Sequence, residues 1–317
     1  MNVTVIGAGR WASFLAWYIN KIGHNVTLWG RKTSKSLASL VDTRKNAYVE
    51  LDDKIELTSD LSYAVSKSDI IVMAISSQST REVCQAIGHH HNKTWVLCMK
   101  GLETSTGYRL SEVLKETLGD DVRVAAWVGP GHPQNMVRNV PNCMVIDSYD
   151  DSLTHELVDI FKSSLVRFYY GQDMIGTEVG AASKNVIGLA AGMLDGLEHE
   201  ALKGVLIARA PSEISRLTCA MGGRKLTPYG LCHLGDYEAT LFSPYSHNRR
   251  YGESFIKGVH LPILAEGVDT VRSIMFLADK YDVDMPICRA VNKVIYENSD
   301  PLKCLSEIFM RDLKTEF

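Results

Sequence analysis

The sequence predicts an α/β chain, with a doubly wound, mostly parallel sheet over residues 1–172 and an all-α segment over 173–317. Three observations carry this expectation. The first part alternates short apolar or β-branched runs with helical stretches, which implies right-handed crossovers between parallel strands. Beyond about residue 172 long helical patterns take over and almost no strand signal remains. The length, 317 residues, is more than one ordinary core accommodates, so two domains are expected.

The expected strands are Val3–Ile6, Asn25–Trp29, Ile55–Thr58, Ile70–Ala74, Trp95–Met99, Arg123–Val128, Cys143–Asp147 and Val166–Tyr170. Several are unbroken apolar runs, as strands covered by helices on both faces must be. Helices are expected at Ala12–Ile22, where Leu15, Ala16, Ile19 and Ile22 share a face, and at Ser79–Ile87 and Gly107–Leu118. The second part reads as helices over Thr177–Leu194, Ala201–Met221, Gly267–Tyr281, Ile287–Glu297 and Leu302–Leu313.

Composition removes several function classes. With 34 basic and 37 acidic residues and a formal charge of −3, no basic excess exists to hold nucleic acid. The start lacks a basic segment followed by a long apolar one, and no window approaches the roughly 20 apolar residues of a membrane span. Membrane insertion is therefore not expected. Seven cysteines occur without a Cys-x-x-Cys pair, which argues against a disulfide framework or zinc site and fits reduced core residues in the cytoplasm. The run His89-His90-His91 has no acidic or thiol partner at ligand spacing and reads as a solvated loop. The acidic patch Asp195, Glu198, His199 and Glu200 reads as a loop or dimer contact, so no metal site is expected.

The first strand runs into Gly7-Ala8-Gly9-Arg10-Trp11-Ala12 and then a helix. In that context G-x-G-x-x-A is the Rossmann-like dinucleotide turn. Gly7 permits the tight bend, Gly9 admits the pyrophosphate, and Ala12 allows close helix–strand packing. The helix N-terminus adds free N–H groups for phosphates. A site for NAD usually carries a carboxylate at the end of the second strand. Here Leu28-Trp29-Gly30-Arg31-Lys32 carries two cations, which suit a 2′-phosphate, so NADPH is expected to be preferred over NADH.

Further motifs follow in order: Ile75-Ser76-Ser77-Gln78-Ser79-Thr80-Arg81, Met99-Lys100-Gly101-Leu102-Glu103-Thr104, and Gly180-Ala181-Ala182-Ser183-Lys184-Asn185-Val186-Ile187. Then come Gly192-Met193-Leu194-Asp195-Gly196, Leu234-Gly235-Asp236, Asn248-Arg249-Arg250-Tyr251-Gly252 and Glu266-Gly267-Val268. In order and spacing, from residue 1 to about 290, the chain resembles the NAD(P)-dependent glycerol-3-phosphate dehydrogenases.

The resemblance implies reversible hydride transfer between NAD(P)H and dihydroxyacetone phosphate, giving sn-glycerol 3-phosphate for glycerophospholipid synthesis, in a homodimer. It places the catalytic acid/base at Lys184, with Lys100 and Asp236 beside it. Substrate contacts are implied at Lys100, Gly129, Asn185, Asp236, Thr240, Ser246, His247 and Asn248. Cofactor contacts are implied at Gly7, Gly9, Arg10, Trp11, Ala12, Arg31, Lys32, Lys100, Pro133, His247 and Glu266, and more weakly at Tyr48 and Leu264. The residue types suit the chemistry. Hydride arrival puts negative charge on a carbonyl oxygen, and a positioned ammonium stabilises that charge and supplies a proton. Asp236 can support the charge of Lys184 while Lys100 lowers its pKa. The same residues also fit a plain ion pair joining two elements.

Two departures from the family pattern fall near the substrate. Gly129-Pro130-Gly131-His132-Pro133-Gln134-Asn135 lacks the usual hydroxyl, alanine and glutamate, and Pro133 has no N–H to offer. Ser246-His247-Asn248-Arg249 has histidine where the family has an arginine that bridges substrate phosphate and cofactor. Arg249 and Arg250 are the candidate substitutes. Three readings stay open: a glycerol-3-phosphate dehydrogenase with weakened phosphate binding, a related reductase of another small keto or hydroxy substrate, and a cofactor-binding regulatory homologue without turnover.

Overall fold

The computed structural model describes all residues except 89–91, 314, 316 and 317. The histidine run at 89–91 lies outside the described residues. Among the described residues eight strands form one sheet: β1 (Asn2–Ile6), β2 (Asn25–Trp29), β3 (Glu56–Thr58), β4 (Ile70–Met73), β5 (Thr94–Leu97), β6 (Arg123–Val128), β7 (Asn142–Ser148) and β8 (Val166–Tyr170). Their order is β3-β2-β1-β4-β5-β6-β7-β8, and every pair is parallel except β6–β7. The link from β6 to β7 carries only a four-residue helix, and β7 returns antiparallel beside β6.

The helices of the sheet part are α1 (Arg10–Lys21), α2 (Lys35–Thr43), α3 (Leu61–Ser66), α4 (Thr80–Ile87), α5 (Leu110–Leu118), α6 (Pro133–Met136) and α7 (Asp151–Phe161). Alternation along the strands feeds two cores. Val3, Val5, Ile70, Val72 and Val96 pack on one face with Phe14, Leu15 and Phe161; Ile6, Ile71, Met73, Trp95 and Leu97 pack on the other with Leu110 and Leu114. This is why the strands read as unbroken apolar runs.

The helical part comprises α8 (Met174–Gly196), α9 (Lys203–Ala220), α10 (His247–Ile256), α11 (Glu266–Lys280), α12 (Pro286–Tyr296) and α13 (Pro301–Phe309). Asp173 caps α8 by accepting from Gly176 N–H, and the helix is buried along nearly its whole length against α9, α10, α11 and α12. The closest crossing is α8 on α10. A Cβ on Gly192 would run into the Arg249 carbonyl, and one on Gly252 into the Leu189 carbonyl, so glycine on both helices lets the backbones touch.

All eight expected strands are present, with end shifts. The expected helix over 302–313 ends at Phe309, and that over 107–118 begins at Leu110. Helices α2, α3, α6, α7 and α10 were not anticipated. Five of the seven cysteines are buried, Cys143 is half-buried and Cys219 is exposed. No helix among the described residues is long and apolar enough to cross a membrane.

Candidate active site

One cleft of about 580 Å³ lies between the sheet part and the helical part. Its sheet-side wall begins with the turn after β1. Gly7 has φ 129°, and a side chain there would strike the Ala74 carbonyl. Gly9 is the N-cap of α1 and offers no side chain to its first turn; a Cβ on it would meet nothing within 4 Å. No side chain caps the first-turn N–H groups beside the cleft, and the indole Nε1 of Trp11 is buried without a partner. Open N–H groups, a backbone without bulk and an unpaired donor fit the pyrophosphate of a dinucleotide. Ala12 is buried behind the turn and backs Gly7 rather than lining the cleft.

Arg31 lines the adjoining wall, and its Nη2 donates to Glu82 Oε2 at 2.7 Å. Lys32 is exposed and, like Tyr48, lies outside the cleft lining; Tyr48 instead carries the Arg10 guanidinium 5.6 Å from its ring centre. Leu264, Pro133 and Glu266 are in the lining. The Glu266 carboxylate accepts from Ser77 N–H at 3.2 Å, and burial raises its pKa. Ser34 and Tyr245 also line the cleft and were not singled out in the sequence; Ser76, quoted there in a motif but given no contact, lines it too. Ser34 and Ser76 precede helical turns, where serine is common for capping alone, so nothing local marks them.

The helical side supplies the charged centre. Lys184 and Asn185 come from the middle of α8. Asp236 ends a 3₁₀ turn, and Thr240 sits in the π-helical turn Glu238–Phe242 that follows. Turns of that kind recur at functional sites because they re-aim side chains. Asp236 is 1% exposed, and its Oδ2 accepts from Lys184 Nζ at 2.5 Å and from Lys100 Nζ at 2.7 Å. Lys184 Nζ also donates to Thr240 Oγ1 at 3.1 Å, and Lys100 Nζ to the Gly129 carbonyl at 2.7 Å. Gly129 thus meets the site through a carbonyl that Lys100 occupies, and is not in the lining.

Burial is the largest influence on Lys184 and lowers its pKa to about 8. Asp236 opposes that shift, and Lys100 adds to it. A plain ion pair would satisfy these distances too. What sets this one apart is that Lys100, Lys184 and Asp236 all line the cleft.

An amide relay locks the surroundings. Asn185 Nδ2 donates to the Lys100 carbonyl at 2.7 Å, Asn248 Nδ2 to Asn185 Oδ1 at 3.0 Å, and Gly267 N–H to Asn248 Oδ1 at 2.9 Å. Ser246 caps α10 by accepting from Arg249 N–H, and His247 Nδ1 lies 3.1 Å from the Leu264 carbonyl. The expected substitutes for the missing arginine are not at hand. Arg249 is turned onto Asp195 at 2.6 Å, which also holds Lys203, and Arg250 is exposed outside the cleft. Asp195 is therefore a buried ion-pair partner rather than part of a solvated loop.

A sheet whose uncapped first turn lines the cleft, closed by helices that bring two lysines and a buried aspartate to the same cleft, defines a dinucleotide-dependent oxidoreductase. A family model described as NAD-dependent glycerol-3-phosphate dehydrogenase N-terminus matches residues 2–154, and the corresponding C-terminus model matches 173–306. The chain belongs to the NAD-dependent glycerol-3-phosphate dehydrogenase family. It is 35% identical to a glycerol-3-phosphate dehydrogenase [NAD(P)+] of Thermoanaerobacter sp. (strain X514), covering 100% of this chain and 99% of that one. It is 36% identical to the protein of the same description in Fusobacterium nucleatum subsp. nucleatum, covering 100% and 98%. The crystal structure of glycerol-3-phosphate dehydrogenase from Coxiella burnetii superposes with a TM-score of 0.91 at 26% identity, covering 98% of this chain and 99% of that one.

Proposed function

We propose that this chain reduces dihydroxyacetone phosphate to sn-glycerol 3-phosphate with NAD(P)H, reversibly, with Lys184 as proton donor and acceptor. The observation that carries the reading is the buried Lys184–Asp236 pair at the cleft, beside Lys100, with a pKa of about 8 on the ammonium.

Gly7, Gly9, Trp11 and the α1 N-terminus hold the pyrophosphate, and Arg31 favours NADPH through its 2′-phosphate. When bound, the nicotinamide supplies the hydride that reduces the ketone carbon. Lys184 Nζ delivers its proton to the substrate oxygen as negative charge develops there. Asp236 keeps that ammonium charged before transfer, and Lys100, fixed between Gly129 and Asp236, adds positive potential at the same oxygen. Asn185, Thr240 and Asn248 orient the substrate. In the oxidative direction neutral Lys184 takes the proton back.

A second reading draws on the missing cation of α10: His247 stands where the family pattern has arginine and Arg249 is held by Asp195, which favours a small keto substrate without phosphate. NADPH oxidation assayed with dihydroxyacetone phosphate and with dihydroxyacetone separates the two. Faster turnover of the phosphorylated ketone supports the first reading, and preference for the other overturns it. The intact Lys100–Asp236–Lys184 centre argues against a regulatory protein without turnover.

The family resemblance supports a homodimer, a role in glycerophospholipid supply and a cytoplasmic location, and the change of architecture supports a domain division near residue 172. Sedimentation of the purified chain tests the dimer.

A further inference from the structure

Arg10, His132 and His247 line the cleft from three separate elements: the first residue of α1, the loop after β6, and the first turn of α10. They are close enough that the Arg10 charge disfavours protonation of both imidazoles. His132 also feels Asp236, Lys184 and Lys100, and it lines the same cleft as all three. Its Nε2 is buried and has no partner, and its ring packs edge-on against Tyr245 at 5.8 Å.

The arginines in the cleft lining are Arg10 and Arg31. Arg31 pairs with Glu82 and is the cation assigned above to the cofactor 2′-phosphate; Arg10 forms no ion pair among the described residues and rests on the Tyr48 ring. His247 is a poor replacement for a fixed cation. Its Nδ1 faces a carbonyl, which only accepts, so Nδ1 carries the hydrogen and a neutral ring turns the Nε2 lone pair elsewhere. Burial and Arg10 keep that ring neutral. The dinucleotide pyrophosphate is already served by the open first turn of α1, which needs no side chain.

We propose that Arg10 is the specificity-determining residue for the phosphate group of the substrate, reaching it from the sheet side of the cleft with His132 Nε2 beside it, in place of a cation on α10. This rests on the dihydroxyacetone phosphate reading above. The phosphate charge is then met by a guanidinium on the dinucleotide turn, and His247 is left to shape the pocket.

The test compares the full-length wild type with Arg10→Gln, Arg10→Lys and the double variant Arg10→Gln/His247→Arg. Kinetics use dihydroxyacetone phosphate, dihydroxyacetone and NADPH, and calorimetry measures sn-glycerol 3-phosphate binding to the NADP⁺-loaded protein. Arg10→Gln is expected to raise KM for dihydroxyacetone phosphate and Kd for sn-glycerol 3-phosphate about 10- to 100-fold, the range for losing a charged hydrogen-bond donor. Its effect on dihydroxyacetone kcat/KM is at least tenfold smaller. Arg10→Lys recovers part of the loss, and His247→Arg in the double variant recovers more. A rise confined to KM for NADPH, or equal losses on both ketones, overturns the proposal. If the wild type turns over no dihydroxyacetone phosphate yet Arg10→Gln still weakens sn-glycerol 3-phosphate binding, the activity reading falls and the phosphate site stands. If the wild type binds no sn-glycerol 3-phosphate, the site falls.

Discussion

Lys184 Nζ lies 2.5 Å from Asp236 Oδ2, on a carboxylate that is almost wholly buried and that Lys100 also contacts. One carboxylate facing two ammonium groups leaves the centre with an excess positive charge, suited to an oxygen that becomes negative. It also leaves Lys184 able to lose a proton near neutral pH.

That arrangement fixes a pH dependence. Reduction needs Lys184 protonated, so kcat/KM for the ketone is expected to be level below about pH 8 and to fall above it. Asp236 favours the charged form, so Asp236→Asn is expected to move the inflection to lower pH as well as to slow turnover. A pH–rate profile at saturating NADPH reads both. An inflection that moves upward in Asp236→Asn contradicts the account.

Cofactor choice is expected to respond to a residue outside the cleft. Glu82 occupies Arg31 at 2.7 Å, and both side chains are well exposed. Glu82→Gln frees the guanidinium for the 2′-phosphate and is expected to raise the NADPH-to-NADH ratio of kcat/KM about two- to fivefold, the scale of an exposed pair. Arg31→Ala is expected to lower the ratio. A ratio that both variants leave at the wild-type value would remove Arg31 from the cofactor site.

The crossing of α8 and α10 is expected to tolerate no side chain. A methyl at Gly252 collides with the Leu189 carbonyl, backbone that cannot swing aside, so Gly252→Ala is expected to cost about 1–3 kcal/mol. Because α10 carries Asn248, KM for the ketone rises as well. Urea unfolding checks the first effect; an unchanged midpoint would mean that the helices separate without cost.

Much of this was legible in the sequence for physical reasons. Strands such as Ile70–Met73 are apolar on both faces because helices cover both, and Gly7 stands where no Cβ fits. A lysine in the Ala-Ala-Ser-Lys stretch of an apolar helix marks itself by its burial cost. Helix α7 was missed although its Asp150 cap and its buried Leu153, Leu157, Val158 and Phe161 carry a signal. Helix α10 was not readable. Only Gly252 is fully buried in it; it is held by the glycine contact with α8, by half-buried Tyr251, Phe255 and Ile256 against the helical core, and by the Ser246 cap. The partner of Arg249 was hidden for a similar reason: Asp195 lies 54 residues away, and only the fold brings the two together.

The most direct measurement is single-turnover NADPH oxidation by Lys184→Ala with dihydroxyacetone phosphate, alongside NADPH binding by fluorescence. The account predicts a rate reduced by about 10²- to 10⁴-fold, with the NADPH Kd within about threefold because the pyrophosphate turn lies on the other wall of the cleft. A variant that turns over at the wild-type rate while binding NADPH normally would contradict it.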